Sequence, residues 1–332
     1  MFAMGNAKIP VRPVQSRDQR VIEMEQLGFF AEDGSLGRDA AATRMENAVV
    51  DALCRCPGRI GPAGFSAARQ ALAELAANYP TAQGIGAFRS ALRFDGIPTR
   101  AASIAELSDW VARAREAQPF VEASPALRDR GWFEKNVWAP LARAAERFDF
   151  DRGRPDLHAS ELWFAAGEWE KALDAIGTIP DALSMPRQLA LHIRASYKLT
   201  VVLDDIWAHM FELAWIDPSG FRATATAIDD PILCDLVAKF DDANGNSGED
   251  LSDSFFPAYA IATHPALRCR ADRIRPLKAD SDGYRAYDSV VEWKAYNRDG
   301  GSRPGARESI ARHTARLVAI SPMLAEAARV RD

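Results

Sequence analysis

The chain has 332 residues with 41 basic and 46 acidic side chains, a net charge of −5, and is 48% hydrophobic and 26% charged. That balance is globular and excludes wholesale disorder, and its negative sign offers no general attraction to nucleic acid or anionic lipid. No apolar run approaches the roughly 18 residues of a membrane span, so neither a nucleic-acid nor a membrane partner is expected.

Residues 1–16, with Pro10 and Pro13, read as an N-terminal arm, and the start MFAMGNAKIPVRP carries no signal-peptide core, which points to a cytoplasmic protein. Ser16 and Gln19 form a capping-box pattern ahead of Val21, Met24, Leu27 and Phe30, predicting a first helix, and residues 38–54 predict a second. The run from Cys54 to Gly64 is dense in glycine and proline and reads as a linker. Residues 66–78 and 83–94 are the next two helices, closed by Gly96, Ile97 and Pro98. These make an N-terminal helical region, 17–98, ahead of a helical domain, 99–332, unless the two form a single domain.

Ser103 and Glu106 make a second capping box, opening a helix with Leu107, Trp110, Val111 and Ala114 on one face. Ser124 before Pro125, Asp230 before Pro231 and Ser321 before Pro322 each set an N-cap against a proline at the first helical position, where its missing N–H costs nothing. Arg154 before Pro155 is a weaker version of the same device. Recurring start signals with almost no alternating β-type runs predict an all-α fold. The helices are expected as hairpins packed in a repeat-like array or an irregular bundle.

Within 153–218 the pattern echoes itself. Ala159, Leu162, Trp163 and Ala166 share one helical face, Gly167 breaks the run, and Trp169, Ala172, Leu173 and Ile176 repeat the spacing. Gly177 is placed as a C-terminal cap in positive φ. Moving 34 positions on, Leu203, Ile206, Trp207 and Met210 take the places of Trp169, Ala172, Leu173 and Ile176, and Ile193 and Tyr197 those of Ala159 and Trp163. The segment LWFAAGEWEKALDAI, through Trp163, Gly167, Trp169, Ala172 and Ile176, resembles the tetratricopeptide-repeat family, whose unit has that length. The second copy departs from it, with Val201 at the place of Gly167. An ordinary helical hairpin is the competing reading.

Beyond the pair, a helix is expected over 231–240, then the polar stretch 241–253, then a helix over 254–272 interrupted at Pro257 and Pro265. One further helix falls within 280–305 and two between Arg307 and Ala328.

Several stretches carry candidate chemistry. LTVVLDDIW at 199–207 imitates the acidic strand of a nucleotide-binding domain, but no glycine is followed by lysine, so the phosphate loop it requires is missing. Asp205, His209 and Glu212 lie at i, i+4 and i+7 and could supply half of a metal site, with no ExxH partner to complete it. Asp242, Asn244, Asn246, Asp250 and Asp253 match five positions of an EF-hand calcium loop, which they resemble, with Ser247 where the turning glycine belongs and Asp253 for the bidentate glutamate. Arg268, Arg270, Arg273, Arg275 and Lys278 form a basic cluster without interleaved aromatics. The four cysteines lack matched spacing; Cys54 and Cys56 stand too close in sequence for a zinc pair, and a reducing compartment is expected. No GxSxG elbow is present.

These observations favour a non-enzymatic interaction or scaffold protein with a protein or peptide partner and no cofactor. By the family resemblance, the exposed positions on the first helices are Arg154, Glu161, Phe164, Gln188 and Lys198. Phe164 lies off the buried stripe, so it is either packed by a neighbouring helix or offered to a ligand. The alternative is an all-α metal-dependent enzyme drawing on Asp204, Asp205, His209, Glu212, Asp241 and Asp242.

Overall fold

The computed structural model describes residues 35–55, 65–200, 206–264, 267, 281–298 and 305–329, with side chains from residue 40 onward except at 298. All regular structure among these residues is helical, as the caps and the 3.6-residue periodicity predict. The α-helices are α1 (Ser35–Cys54), α2 (Ser66–Asn78), α3 (Ile85–Ala91), α4 (Ile104–Glu122), α5 (Pro125–Arg128), α6 (Ala139–Ala145), α7 (Ala159–Ala165) and α8 (Trp169–Gly177). They continue with α9 (Pro186–Thr200), α10 (Trp207–Ile216), α11 (Pro218–Ile228), α12 (Pro231–Ser247), α13 (Phe256–Thr263), α14 (Asp282–Arg298), α15 (Ala306–Ile320) and α16 (Pro322–Arg329).

The chain divides into two compact units: residues 1–96 with 117–132, and residues 97–116 with 133–332. In the smaller unit α1 packs on α2, bringing Val49, Val50 and Leu53 into the interior with Ala68, Leu72 and Leu75. Trp132 closes this core, its ring 6.5 Å from Phe65 and its Nε1 donating to the Leu53 carbonyl at 3.3 Å.

In the larger unit each helix from α6 to α13 packs on its successor, and α9 also contacts α7 and α11. Three of the start signals cap as predicted, whereas Ser124 opens α5 without a side-chain cap bond and Arg154 precedes only a short 3-10 turn, Pro155–Leu157. Ser103 Oγ accepts the Glu106 N–H at 3.2 Å while Glu106 Oε2 accepts that of Ala102 at 2.6 Å. Asp230 accepts the N–H groups of Ile232 and Leu233, and Ser321 Oγ accepts that of Leu324. Asp217 before Pro218 is a further example that the sequence reading passed over; it accepts the Gly220 N–H at 3.0 Å and opens α11.

The hairpin α7–α8 forms with Ala159, Leu162, Trp163, Ala166, Ala172 and Ile176 buried and Gly167 at φ +73°, a left-handed turn that a side chain would strain. Gly177 corrects the expectation of a left-handed cap: it is the last helical residue, and the chain leaves through Thr178 at φ −81°. Trp169 and Leu173 are half-buried rather than core. Of the second copy, Ile193, Tyr197, Ile206, Trp207 and Met210 are buried, whereas Leu203 lies outside the described residues. Its first helix, α9, is also more than twice the length of α7, with 15 residues against 7.

The polar stretch after Phe240 is the largest departure. Helix α12 continues to Ser247, so Asp242, Asn244 and Asn246 are helical and cannot wrap an ion as an EF-hand loop does. Asn244 instead holds the chain beyond the helix, accepting the Leu251 N–H and donating to the Leu251 carbonyl at 2.8 and 2.9 Å. Pro257 does not interrupt its helix but sits in the first turn of α13. The core of this unit is aromatic, with Phe211 meeting Trp207, Trp215, Phe256 and Tyr287 at centroid distances of 5.6 to 6.5 Å.

Candidate functional site

The residues expected to face a partner do not form one surface. Arg154 bonds Ser108 Oγ, and Lys198 is exposed on α9. Gln188 is only 1% exposed and belongs to the interior, because α9 begins at Pro186 and turns this position toward α7. Glu161 and Phe164 do lie beside a groove, about 590 Å³ in volume, lined from α7, α9 and α11 by Glu161, Arg187, Leu191, Arg194, Asp217 and Thr224 among others. Arg187 Nε donates to Glu161 at 2.5 Å, and the Arg194 guanidinium lies over the Phe164 ring, 4.5 Å from its centroid. The ring is thus packed rather than bare. Ala190, Gly220, Ala223 and Ala227 keep the rest of the lining low.

A larger cleft of about 840 Å³, which sequence reasoning missed, lies against the α7–α8 hairpin. Phe150, Trp163, Ile179 and Met185 supply apolar wall, and Glu146, Asp149, Asp174, Arg152 and Lys171 supply charge. Glu146 accepts Trp163 Nε1–H at 3.0 Å, and Lys171 is paired with Glu168 at 3.0 Å. Asp149, Asp174 and Arg152 form no ion pair within the described residues.

His158, 8% exposed, lines this cleft and meets Phe150 edge to face at 5.3 Å. It caps α7: its Nδ1 accepts the Ser160 N–H at 3.3 Å and stands 2.9 Å from Ser160 Oγ. An Nδ1 that accepts a backbone N–H is unprotonated, which assigns the proton of the neutral ring to Nε2. Burial lowers the pKa of this imidazole and so favours that neutral form. Behind it Ser160 Oγ reaches Gln188 Oε1 at 3.4 Å, and Gln188 Nε2 is buried without a partner among the described residues. Histidine is not one of the residues that usually cap helices, so this cap had no clear signal in the sequence.

Of the residues named for metal chemistry, no three come together among the described residues. Asp204 and Asp205 fall outside the described residues. His209 packs edge to face on His192 with centroids 4.9 Å apart, and neither Nδ1 has a partner among the described residues. Burial lowers both imidazole pKa values, that of His192 to about 4 with a contribution from His209, and burial raises that of the Glu212 carboxyl. Asp241 is held by Arg222, which also binds Asp253, while Asp242 is exposed. Among the described residues no group of three or more histidine, cysteine or acidic side chains is placed to hold a metal ion, and no helix there is long and apolar enough to cross a membrane. The basic cluster at 268–278 and Cys56 also lie outside the described residues.

Comparison with protein-family models, with curated proteins and with solved structures gives no match to this chain.

Proposed function

We propose that the protein is a non-enzymatic helical interaction protein that receives a peptide or protein segment along α7, α9 and α11. The groove lined by these alternate helices supports the reading most directly. Its small floor residues let a partner approach the helix backbones, and its two arginines are pre-ordered, one by Glu161 and one by the Phe164 ring. Arg194 has no carboxylate partner among the described residues, so its N–H donors remain available to a ligand. Helix surfaces arranged in series are suited to recognising a segment with several side-chain anchors.

Affinity capture from the native host with the wild-type chain and with Ala223→Trp and Arg194→Glu variants tests this. A species retained by the wild type and lost from both variants is the expected result. Equal retention by all three chains counts against the groove.

A further inference from the structure

We propose that His192 and His209 form a binding site for a divalent transition ion of the Zn²⁺ type, which ties α9 to α10. The two rings come from helices that pack on each other and stand 4.9 Å apart between centroids. Two imidazoles on one tetrahedral zinc, each nitrogen about 2.0–2.1 Å from the ion, have centroids about 5.2 Å apart, so the helices already hold the rings at chelating distance. Each Nδ1 is buried with no hydrogen-bond partner among the described residues, and neither ring makes any other hydrogen bond there. The Nε2 atoms are not buried in this way, so each ring turns Nδ1 inward and leaves Nε2 toward water.

An edge-to-face aromatic contact accounts for the spacing but leaves two buried nitrogens unsatisfied on facing side chains, which is costly. One cation that takes both lone pairs removes both orphans at once, with each Nε2–H left to solvent. The donors select the ion: imidazole nitrogen suits Zn²⁺, Ni²⁺ and Cu²⁺, whereas Ca²⁺ and Mg²⁺ call for oxygen ligands. Glu212, one turn beyond His209 on α10 and without an ion pair among the described residues, is not placed to complete a group of three. The ion is therefore held by two nitrogens with water in its other positions, and it binds more weakly than a structural zinc with four protein ligands. Neither histidine lines the α7–α9–α11 groove, so this assignment and the proposed function can fail separately.

Long-range proton–nitrogen correlation spectra of the chelator-treated full chain, labelled at its five histidines, read the site directly. Zn²⁺ is expected to shift the Nδ1 signals of two histidines and leave the other three in place. Isothermal titration should give one ion per chain, with Cu²⁺ bound more tightly than Zn²⁺, and Ca²⁺ and Mg²⁺ about a hundredfold more weakly or not at all. His192→Phe and His209→Phe should each weaken Zn²⁺ binding at least tenfold. His313→Phe should not, because His313 has the same kind of buried Nδ1 but stacks on Tyr296 instead of a second imidazole. No histidine shift at submillimolar Zn²⁺, equal shifts of all five, an equal loss in His313→Phe, or Ca²⁺ bound as tightly as Zn²⁺ would each overturn the assignment. The wild-type spectra decide the matter even where a variant fails to fold.

Discussion

His192 and His209 face each other edge to ring across α9 and α10, 4.9 Å between centroids, each with a buried nitrogen that no described group satisfies. Burial and the neighbouring ring take His192 from its ordinary 6.5 to about 4. The unfolded chain therefore takes up a proton near pH 6.5 that the folded chain refuses until about pH 4. Stability from this pair is complete above pH 6.5 and is lost as the pH falls through that window. Partial exposure reduces the effect to about 2 kcal/mol. Glu212 acts oppositely: its raised pKa makes the fold gain as the pH drops toward the carboxyl range. Denaturation at pH 7, 5.5 and 4.5 should show a smaller loss for His192→Phe than for the wild type.

The two tryptophans of the hairpin should separate. Trp163 is 2% exposed and bonded to Glu146, so Trp163→Ala is expected to cost about 3 to 5 kcal/mol. Trp169 is half-buried, and its alanine variant should cost about half as much. Equal midpoint shifts in urea would contradict this ranking.

Arg222 binds Asp241 through both terminal nitrogens at 2.8 and 2.9 Å and Asp253 through Nε at 3.0 Å. Methionine at this position should cost about 2 kcal/mol, because the largely buried Asp253 loses its cation. Lysine should recover less than half of that, since an ammonium cannot span two carboxylates in this fork geometry. Thermal melts of the two variants measure the difference.

Gly283 and Gly167 call for glycine for different reasons. A Cβ on Gly283 would lie 2.2 Å from the Ser254 carbonyl oxygen, a backbone atom that cannot swing away, so Gly283→Ala should lose more than about 2 kcal/mol. Gly167 meets nothing within 4 Å and needs only its left-handed φ, for a loss of about 1 kcal/mol on Gly167→Ala. Reversal of this order in chemical denaturation would show that the contact relaxes.

Helix starts were the most legible part of the fold, because a cap needs only a short polar side chain beside a proline or ahead of a glutamate; Ser103, Asp230 and Ser321 are examples. Burial was legible where one helical face is apolar, as at Trp163 and Ile176. It was not legible at Gln188, whose interior position depends on where α9 begins. The helical run through Asn244 was missed because its polar and glycine residues favour a loop locally, while the contacts of Leu236 and Phe240 and the Asn244–Leu251 bonds hold the helix. The cleft at His158 joins residues from 146 to 185 and has no sequence spacing of its own.

Helices α6 to α13 pack neighbour on neighbour, so most closures there join segments only a helix or two apart and carry little chain entropy. The bond from the Met323 N–H to Glu249 Oε1 at 2.8 Å is of another kind, bridging 74 positions to bring α16 onto α12 and α13. The larger unit should accordingly assemble its middle early and seal with its last helix, and a ribosome must release that helix before Glu249 can find its partner.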